Sequence, residues 1–583
     1  MNFYIEKTTL RKEKTAKETI EYIKKILSDL NIETDETLKI NNGDSIFSCR
    51  VTMKGTDFGS NGKGINEEYA LASAYAEFME RLQTRYLFLS KNSKSGLLNK
   101  KERGHRILTP DEVAAFQKEY FFPAFDYQSN DDLEKMICFD STEHFYQVRT
   151  GNMVSMHTNL IDIMCGSNGL CAGNTMYEAI VQGIGEIFER MSYRHIVLQD
   201  CECAVIPEEI YKNTYSMKMI NYLKSKKYNV IVKDFTLGGR VPVLGIILVS
   251  PTKTKAKLSV ASDINFDIAL QRCITEVLQG RKLDGFFPVE MKNLFSLEKL
   301  DEKGKLQSKW IPGELLKMYV NGSGELPLDF IINSDEFHVE NLNIFNNKIS
   351  DNKDAYKYML TIIEKNHLEL YIKDYSIFGF PTYRVFIKNE SHIHISCEKT
   401  MRKCYFRHIL NGKELKEEEV DQIIELLHQL NDLLEAPKEY NDVALDLLKK
   451  SNLTELTTDS RYLEILLLLY RRRYADAYIR YNSCLTQAER KINIDAYLYE
   501  LQYDRTESLI KFWEQVEDQN ALKEVNELEE HIKMITCRIR ENCEEIVQKD
   551  LFVNDLIDKI EKELCKWDGK QESYRELRLL GVN

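Results

Sequence analysis

Several signatures that would place this 583-residue chain in a well-defined class are absent. A membrane-spanning helix needs a run of about 18 apolar residues, and apolar runs here, such as 241–249 and 465–470, fall well short of that length. The first residues, MNFYIE, lack the basic region and apolar stretch of a secretory signal. We therefore expect a cytoplasmic protein with no membrane partner.

Paired cysteines are also missing. The 13 cysteines stand singly, without C-x-x-C spacing, and the closest pair, Cys201 and Cys203, is spaced wrongly for a zinc knuckle. This usage indicates reduced thiols rather than disulfides or structural zinc. The net charge of −13 argues against a broad nucleic-acid surface, so we expect no direct nucleic-acid partner.

The common nucleotide fingerprints are absent as well. The sequence has neither a G-x-x-x-x-G-K-[ST] P-loop nor a G-x-G-x-x-G dinucleotide motif followed by the expected acidic residue. Local spacing assembles no Ser-His-Asp or Cys-His group either, so no catalytic residue is assigned. Any nucleotide chemistry must therefore depend on another pattern.

One polar pattern occurs three times. Its copies are Ser73-x3-Glu77-x2-Glu80-Arg81, Gln182-x3-Glu186-x2-Glu189-Arg190 and Arg272-x3-Glu276-x2-Gln279. On a helix, spacings of four and seven residues return to nearly the same direction, so each copy predicts a helix with one polar stripe. Each copy also has apolar residues at core-facing spacing: Leu71, Tyr75, Phe78 and Leu82; Ile180, Ile184, Ile187 and Met191; Leu270, Ile274 and Val277.

An alanine precedes the first carboxylate of each copy by seven residues, at positions 70, 179 and 269. Small side chains on the polar stripe let another helix or a ligand approach closely, which a solvated stripe does not need. The alternative is three amphipathic helices whose charged faces meet only water. The shared alanines favour a site.

The charges constrain what such a site binds. Two carboxylates ~4 Å apart repel by about 4 kcal/mol at an effective dielectric near 20, so five glutamates on three packed helices need counter-charge. Arg81, Arg190 and Arg272 supply part of it. Oxygen ligands suit a hard cation, and Mg²⁺ usually combines a few carboxylates with phosphate oxygens and water. The pattern therefore predicts a nucleotide bound with Mg²⁺.

Glycine-bearing turns precede the first two copies, at 59–64 and 166–173. Gly64 and Gly173 hold equivalent places, nine residues before Ser73 and Gln182. A loop that opens a helix can present backbone N–H groups to phosphate oxygens. A purely structural role for these glycines remains the alternative.

These motifs resemble a known family. The segment SNGLCAGNTMYEAIVQGIGEIFER (167–190) resembles the signature of the YcaO domain, and NGKG (61–64) with ALASAYAEFMER (70–81) resembles its companion motif. The third piece, ALQRCITEVLQGR (269–281), is also similar to that family. The resemblance implies an α/β YcaO-type domain over 1–415 that binds ATP and Mg²⁺.

The resemblance also implies residue roles. Glutamates would bind Mg²⁺, namely Glu77, Glu80, Glu186, Glu189 and Glu276. Nucleotide contacts would come from Ser73, Gln182, Arg190 and Arg272, with hydroxyl and amide groups hydrogen bonding and arginines neutralising phosphate. An N-terminal lysine contacts nucleotide in such proteins, and Lys12 is our choice within the lysine-rich stretch 7–17.

Family members typically use ATP to phosphorylate a backbone amide oxygen of a peptide during heterocycle or thioamide formation. Azoline-forming members usually end in a proline-rich tail, whereas this chain ends LLGVN. The chain therefore resembles the stand-alone members of the family more than the azoline-forming ones. Stand-alone members are described as accessory factors in β-methylthiolation of a small-subunit ribosomal protein. Possible partners are a methylthiotransferase and that ribosomal protein. Two alternatives stay open: a non-catalytic nucleotide-binding scaffold, and a peptide cyclodehydratase or thioamide-forming enzyme.

The C-terminal part has a different pattern. Residues 416–583 are almost wholly helical in periodicity, with no proline after Pro437. Segments 459–478 and 507–549 suggest helical hairpins of tetratricopeptide-like type, although no strict 34-residue repeat is visible. We expect an all-helical domain for dimerisation or partner docking, and a homodimer.

Two smaller features have competing interpretations. His392, His394 and Cys397 have the alternation of a half-buried strand, on which we expect amphipathic surface histidines rather than a metal site. Cys171 lies in the signature segment, where packing is favoured over a nucleophilic role.

Overall fold

A computed structural model describes part of the chain. The described residues are 11–43, 45–54, 56, 58–89, 108–121, 142–198, 203–251, 256–283, 299–300, 306–307, 334–393, 421, 424, 468, 476, 551–568, 576–578 and 580.

Helices and strands are interspersed along the described residues up to 393. The α-helices are α1 (Ala16–Asp29), α2 (Glu67–Gln83), α3 (Pro110–Tyr120), α4 (Thr158–Cys165), α5 (Met176–Leu198), α6 (Glu208–Tyr211), α7 (Ser216–Ser225), α8 (Phe266–Val277), α9 (Asn352–Lys365) and, near the C-terminal end, α10 (Leu551–Asp568). Short 3-10 helices cover Tyr86–Leu89 and Val339–Ile344.

The strands form separate antiparallel sheets. They are β1 (Thr34–Asn41), β2 (Phe47–Met53), β3 (Gly59–Gly64), β4 (Thr142–Gln147), β5 (Asn152–His157), β6 (Leu170–Ala172), β7 (Asn229–Asp234), β8 (Val243–Val249), β9 (Ala256–Ser262), β10 (Lys299–Leu300), β11 (Leu306–Gln307), β12 (Leu370–Asp374) and β13 (Thr382–Ile387). The strand orders are β1-β2-β3, β5-β4-β12-β13-β6, β7-β8-β9 and the pair β10-β11. Runs of apolar and β-branched residues at 229–235, 241–249, 368–372 and 383–387 predict strands from the sequence, and the structure confirms these strands within about two residues.

Capping side chains fix where the site helices begin. Asn66 accepts a hydrogen bond from the Tyr69 N–H at the start of α2, and Asn265 accepts one from the Ile268 N–H at the start of α8. Such bonds satisfy N–H groups that lack partners within the helix. Both stripes therefore begin in a defined register.

The sheet β7-β8-β9 lies between helices on its two faces. Alternate residues of β8 point in opposite directions, so Val243 and Ile247 pack in one cluster with α5 while Leu244 and Ile246 pack in another with α7 and α8. The end of β9, at Ser262, consequently lies between α5 and α8. This placement brings two of the three predicted polar stripes toward each other.

The sheet β1-β2-β3 packs against α2. A Cβ atom built on Gly62 would lie 2.0 Å from the Ala70 carbonyl oxygen, so only glycine permits this approach of strand to helix. The prediction that 59–64 form a loop is wrong: they form strand β3, paired with β2 from Gly59↔Thr52 to Gly64↔Phe47. Close packing without Cβ atoms is the physical reason for these glycines.

The described C-terminal residues pack onto the first part of the chain. Leu556, Ile560 and Leu564 of α10 belong to the same buried cluster as α1 and α2, and the Tyr356 hydroxyl donates to the Leu580 carbonyl oxygen at 3.0 Å. The predicted hairpins at 459–478 and 507–549 lie outside the described residues, apart from positions 468 and 476. The tetratricopeptide-like arrangement stays a prediction. Among the described helices, none combines the length and apolar character needed to cross a membrane.

His392 is buried rather than a surface residue, which corrects the sequence expectation. The Arg194 Nη1 atom lies 2.9 Å from its Nε2 atom, and burial together with that guanidinium lowers the pKa of His392 to about 2. The ring is therefore neutral and packed. His394 and Cys397 lie outside the described residues.

Candidate functional site

A single cavity of about 450 Å³, here called the central cavity, brings the three polar stripes together. It lies between α2, α5, α8 and the N-terminal segment 11–19. Its lining includes all ten residues that the sequence predicted for the site: Lys12, Ser73, Glu77, Glu80, Gln182, Glu186, Glu189, Arg190, Arg272 and Glu276.

The opposite faces of the helices are in the core, as the periodicity predicted. Tyr75, Ile184 and Ile274 each expose at most about 1% of their surface to solvent. The stripes also extend one turn further upstream than the motif, because Tyr69, Glu178 and Ile268 line the cavity as well. Each of these three residues lies four positions before the first residue of a motif copy, so the helical spacing in the sequence could have predicted that they face the cavity.

Two of the shared alanines, Ala70 and Ala179, pack closely against glycines of the segments that precede their helices. Gly64 and Gly173 hold equivalent places: a Cβ on Gly64 would lie 2.6 Å from the Ala70 nitrogen, and one on Gly173 would lie 2.9 Å from the Ala179 nitrogen. The sequence analysis expected a helix or a ligand beside these alanines, but the structure has the backbone of a glycine there. This packing holds α2 and α5 against the segments that precede them.

The carboxylates are crowded in a poorly solvated place. Burial, together with the charges of Glu77 and Glu186, raises the pKa of Glu80 to about 8 against the lowering effect of Arg81. Burial likewise raises the pKa of Glu186 to about 7, with Arg190 opposing the shift and Glu189 adding to it. Both shifts mean that the protein supplies less positive charge than these carboxylates need.

Arginines and one strand hold the carboxylates in position. Arg81 reaches Glu77 and Glu80, each at 3.3 Å, and its guanidinium lies 5.1 Å from the centre of the Tyr86 ring. Glu189 accepts a hydrogen bond from the Ser262 N–H at 2.8 Å, and its Oε1 lies 3.5 Å from Arg272. The end of β9 thus ties the second stripe to the third.

Lys63 is a cavity residue to which the sequence analysis gave no role. It extends from β3 to form an ion pair with Glu276 of α8. Enclosure by the cavity walls and the nearby Arg272 lower its pKa to about 8. Its presence in the NGKG motif was a signal, but only the packing of β3 beside α8 shows where the ammonium group lies.

The N-terminal segment closes another side of the cavity. The Lys12 Nζ atom donates a hydrogen bond to the Glu178 carboxylate at 2.9 Å, and the Asn174 side-chain amide donates another to the same carboxylate at 3.3 Å. Arg11 makes a buried ion pair with Asp263 at 2.6 Å, which fixes the segment to the start of α8. Of the lysines in the stretch 7–17 that the structure describes, Lys12 and Lys14 line the cavity.

Cys171 packs beneath the site and does not line it. Its side chain is fully buried, its Sγ atom donates to the Tyr383 carbonyl oxygen at 3.4 Å, and burial holds its pKa well above the usual range. A buried thiol with a raised pKa is a poor nucleophile. The packing role is therefore confirmed.

Mg²⁺ fits this donor set when phosphate supplies further oxygens. Within the described part of the chain, no group of three Asp, Glu, His or Cys side chains comes together closely enough to hold a metal ion alone. Mg²⁺ commonly takes one or two carboxylates together with water and substrate phosphates. Glu80 and Glu186, whose raised pKa values indicate missing counter-charge, suit that arrangement.

Comparison with protein families agrees with this geometry. Residues 61–388 match the family described as "YcaO cyclodehydratase, ATP-ad Mg2+-binding". The chain belongs to the YcaO family. ATP and Mg²⁺ are thus the cofactors of its family, as the sequence motifs predicted.

Individual relatives have low sequence identity to this chain. The "Ribosomal protein S12 methylthiotransferase accessory factor YcaO" of Escherichia coli is 26% identical over an alignment of 417 residues, which covers 66% of this chain and 66% of that protein. A solved heterocyclase in complex with substrate and cofactor has 16% identity and a TM-score of 0.46, covering 67% of this chain and 54% of that one. YcaO from Methanopyrus kandleri, bound with AMPPCP and Mg²⁺, has 14% identity and a TM-score of 0.41, covering 65% of this chain and 92% of that one.

The raised carboxyl pKa values predict a pH dependence of metal binding. Ligating carboxylates must be ionised, so binding of Mg²⁺ with ATP should release protons from Glu80 and Glu186, whose pKa values are about 8 and about 7. We expect the apparent affinity to rise between pH 6 and 8, by up to about tenfold per pH unit for each proton released. Calorimetry in two buffers of different ionisation enthalpy measures this release, and a pH-independent affinity would contradict the assignment.

In the protein without metal, the raised pKa values of Glu80 and Glu186 make a rise in pH destabilising. A carboxyl group whose folded pKa lies above the ordinary value of 4.5 keeps its proton in the folded state after the unfolded chain has lost it. The contribution of these two groups to the free energy of unfolding should therefore fall as pH rises from about 4.5 toward 7 to 8, whereas neutral, buried His392 contributes the opposite trend below pH 6.5. Mg²⁺ with ATP should reverse the loss, which chemical denaturation at several pH values measures.

Proposed function

We propose that this protein binds ATP with Mg²⁺ in the central cavity and uses the nucleotide to activate an amide or carboxylate oxygen of a protein substrate. The observation that carries the proposal is the convergence of all ten predicted residues, drawn from three helices and the N-terminal segment, on one cavity. The family description gives independent support for the two cofactors.

The cavity offers distinct groups to different parts of the nucleotide. Carboxylates of α2, α5 and α8 would hold Mg²⁺, which supplies charge neutralisation between phosphate oxygens. Arg190 and Arg272 suit direct phosphate contacts, because guanidinium groups donate two parallel hydrogen bonds to such anions. Ser73 and Gln182 supply neutral hydrogen bonds to phosphate or sugar. Lys12 lies with Glu178 on the side closed by the N-terminal segment.

The proposed reaction is phosphoryl transfer. The substrate oxygen attacks the terminal phosphorus, a new O–P bond forms, the bond between that phosphorus and the bridging oxygen breaks, and ADP leaves. The charge that spreads over the transferring phosphoryl oxygens is what arginines and a metal ion stabilise. Phosphorylation converts a poor leaving group on the substrate into a good one.

The finer part of the proposal concerns the substrate. The name of the E. coli relative supports a link to β-methylthiolation of a small-subunit ribosomal protein, with a methylthiotransferase as the second partner. A cytoplasmic homodimer is part of the same proposal. The net charge of −13 suits attraction of a basic ribosomal protein.

Calorimetry and turnover test the proposal together. We expect ATP to bind the full chain only when Mg²⁺ is present, and ATP hydrolysis to accelerate when ribosomal protein S12 from the same organism is added. Absence of binding by folded protein would overturn the proposal. Mg²⁺-dependent binding with no turnover under any condition would overturn the enzymatic part and favour a nucleotide-binding scaffold.

A further inference from the structure

The strand β3 places the backbone of Lys63 at the edge of the central cavity. Gly62 and Gly64 on either side of it face α2, where a Cβ atom would come within 2.0 Å and 2.6 Å of the Ala70 backbone. Because side chains alternate along a strand, Lys63 points away from that contact and toward α8. The packing of β3 against α2 thus determines the face from which the Lys63 side chain extends.

The ammonium group lies among the charged groups of the site. It forms an ion pair with Glu276 and lies 3.5 Å from the Gln279 Oε1 atom. Gln279 is itself fixed by a hydrogen bond to the Asn61 carbonyl oxygen at 3.0 Å. The Lys63 side chain keeps about a quarter of its surface exposed, so it remains accessible from the cavity.

Lys63 and a metal ion compete for the same carboxylate. Glu276 is one of the five glutamates assigned to Mg²⁺, and an ammonium group cannot share a carboxylate oxygen with a divalent cation without repulsion. Metal binding therefore requires Lys63 to exchange Glu276 for another anion. The only anion that arrives together with the metal is the phosphate chain of the nucleotide.

We propose that Lys63 binds the terminal phosphate of ATP and gives up Glu276 to Mg²⁺ when it does so, which makes metal and nucleotide binding interdependent. This inference rests on the proposed function and adds a residue and a coupling to it. A lysine ammonium acts as a compact positive charge toward phosphate. The same charge would stabilise the phosphoryl group during transfer, so Lys63 is also a catalytic residue.

The coupling makes opposite predictions for two measurements on one variant. Lys63→Met removes the charge and keeps a similar length. Its affinity for Mg²⁺ with a non-hydrolysable ATP analogue should fall about ten- to a hundredfold, the range expected for a lost hydrogen bond to a charged group. Its affinity for Mn²⁺ alone, measured by electron paramagnetic resonance, should be weak in the wild type, because no three described carboxylates, imidazoles or thiols come together, and should rise about three- to tenfold in the variant because Glu276 is released.

Controls separate this result from a structural effect. Lys39→Met removes an exposed lysine from strand β1 of the same sheet, where it pairs with Glu67 at 2.8 Å, and should leave both affinities unchanged. Lys63→Arg keeps the charge and should stay close to the wild type in both. If Lys63→Met does not fold, Lys63→Gln is the second neutral variant, since it can still hydrogen bond to Gln279.

Each other outcome counts against the inference. A fall in both affinities would show that Lys63 only supports the fold of the site, and a rise in both would show competition without a phosphate contact. No change in either would remove Lys63 from the site. Failure of the wild type to bind the analogue with Mg²⁺ would instead overturn the proposed function itself.

Discussion

Replacing Glu186 with Gln should weaken Mg²⁺-dependent ATP binding by roughly a hundredfold or more, which is about 3 kcal/mol. Glu186, on the stripe of α5, couples the two stripes electrostatically, since the charges of Arg81 and Glu77 on α2 act on it as well as those of Arg190 and Glu189. A neutral amide removes one negative metal ligand while keeping nearly the same shape. Calorimetric titration of the full chain with ATP, with and without Mg²⁺, measures the loss.

The same substitution should not destabilise the protein. Burial disfavours the ionised form of Glu186, so above pH 7 a neutral side chain should leave the free energy of unfolding unchanged or higher. Glu21→Gln is the matched control, because that side chain is 65% exposed on α1 and its ion pair with Lys17, at 4.0 Å, is also exposed. Unchanged ATP affinity in folded Glu186→Gln protein would show that the three helices do not form one metal-nucleotide site.

Gly62→Ala should strongly destabilise the protein. The added Cβ would lie 2.0 Å from the Ala70 oxygen and 2.3 Å from the Ala74 nitrogen, and both are backbone atoms of α2 that cannot rotate away. Relief requires α2 to move from β3, which also displaces Glu77 and Lys63. We expect the free energy of unfolding to fall by more than about 3 kcal/mol, with loss of ATP binding.

Gly280→Ala is the comparison for that prediction. A Cβ at this position meets nothing within 4 Å, although the backbone φ of +70° disfavours alanine. Only the conformational cost of about 1 kcal/mol should appear, and ATP binding should persist. Chemical denaturation of both variants measures the difference, and similar stability of the two would show that the contact between β3 and α2 is not tight.

The helices and their faces could be predicted because they depend on local periodicity. The spacing around Glu186 determines both the buried side of α5 and its polar stripe, and neighbouring residues on a helix need no long-range information. The repetition of that spacing around Glu77 and Glu276 then indicated a shared site. All three segments were identified for this reason.

Other features depend on long-range packing and were missed or misjudged. The segment 59–64 contains three glycines, which are uncommon inside strands, so its sequence indicated a turn. The strand exists because α2 leaves no room for Cβ atoms. Lys63 reaches Glu276 only because β3 lies beside α8, and His392 is buried by its contact with Arg194, neither of which local spacing reveals.

The most direct test of the three-helix site is a crystal structure with a non-hydrolysable ATP analogue and Mn²⁺, located by its anomalous scattering. We predict Mn²⁺ bound between the phosphate oxygens and glutamate carboxylates from at least two of α2, α5 and α8, with Arg272 against the phosphates. An analogue bound outside the central cavity, or Mn²⁺ bound without any of these carboxylates, would contradict the account.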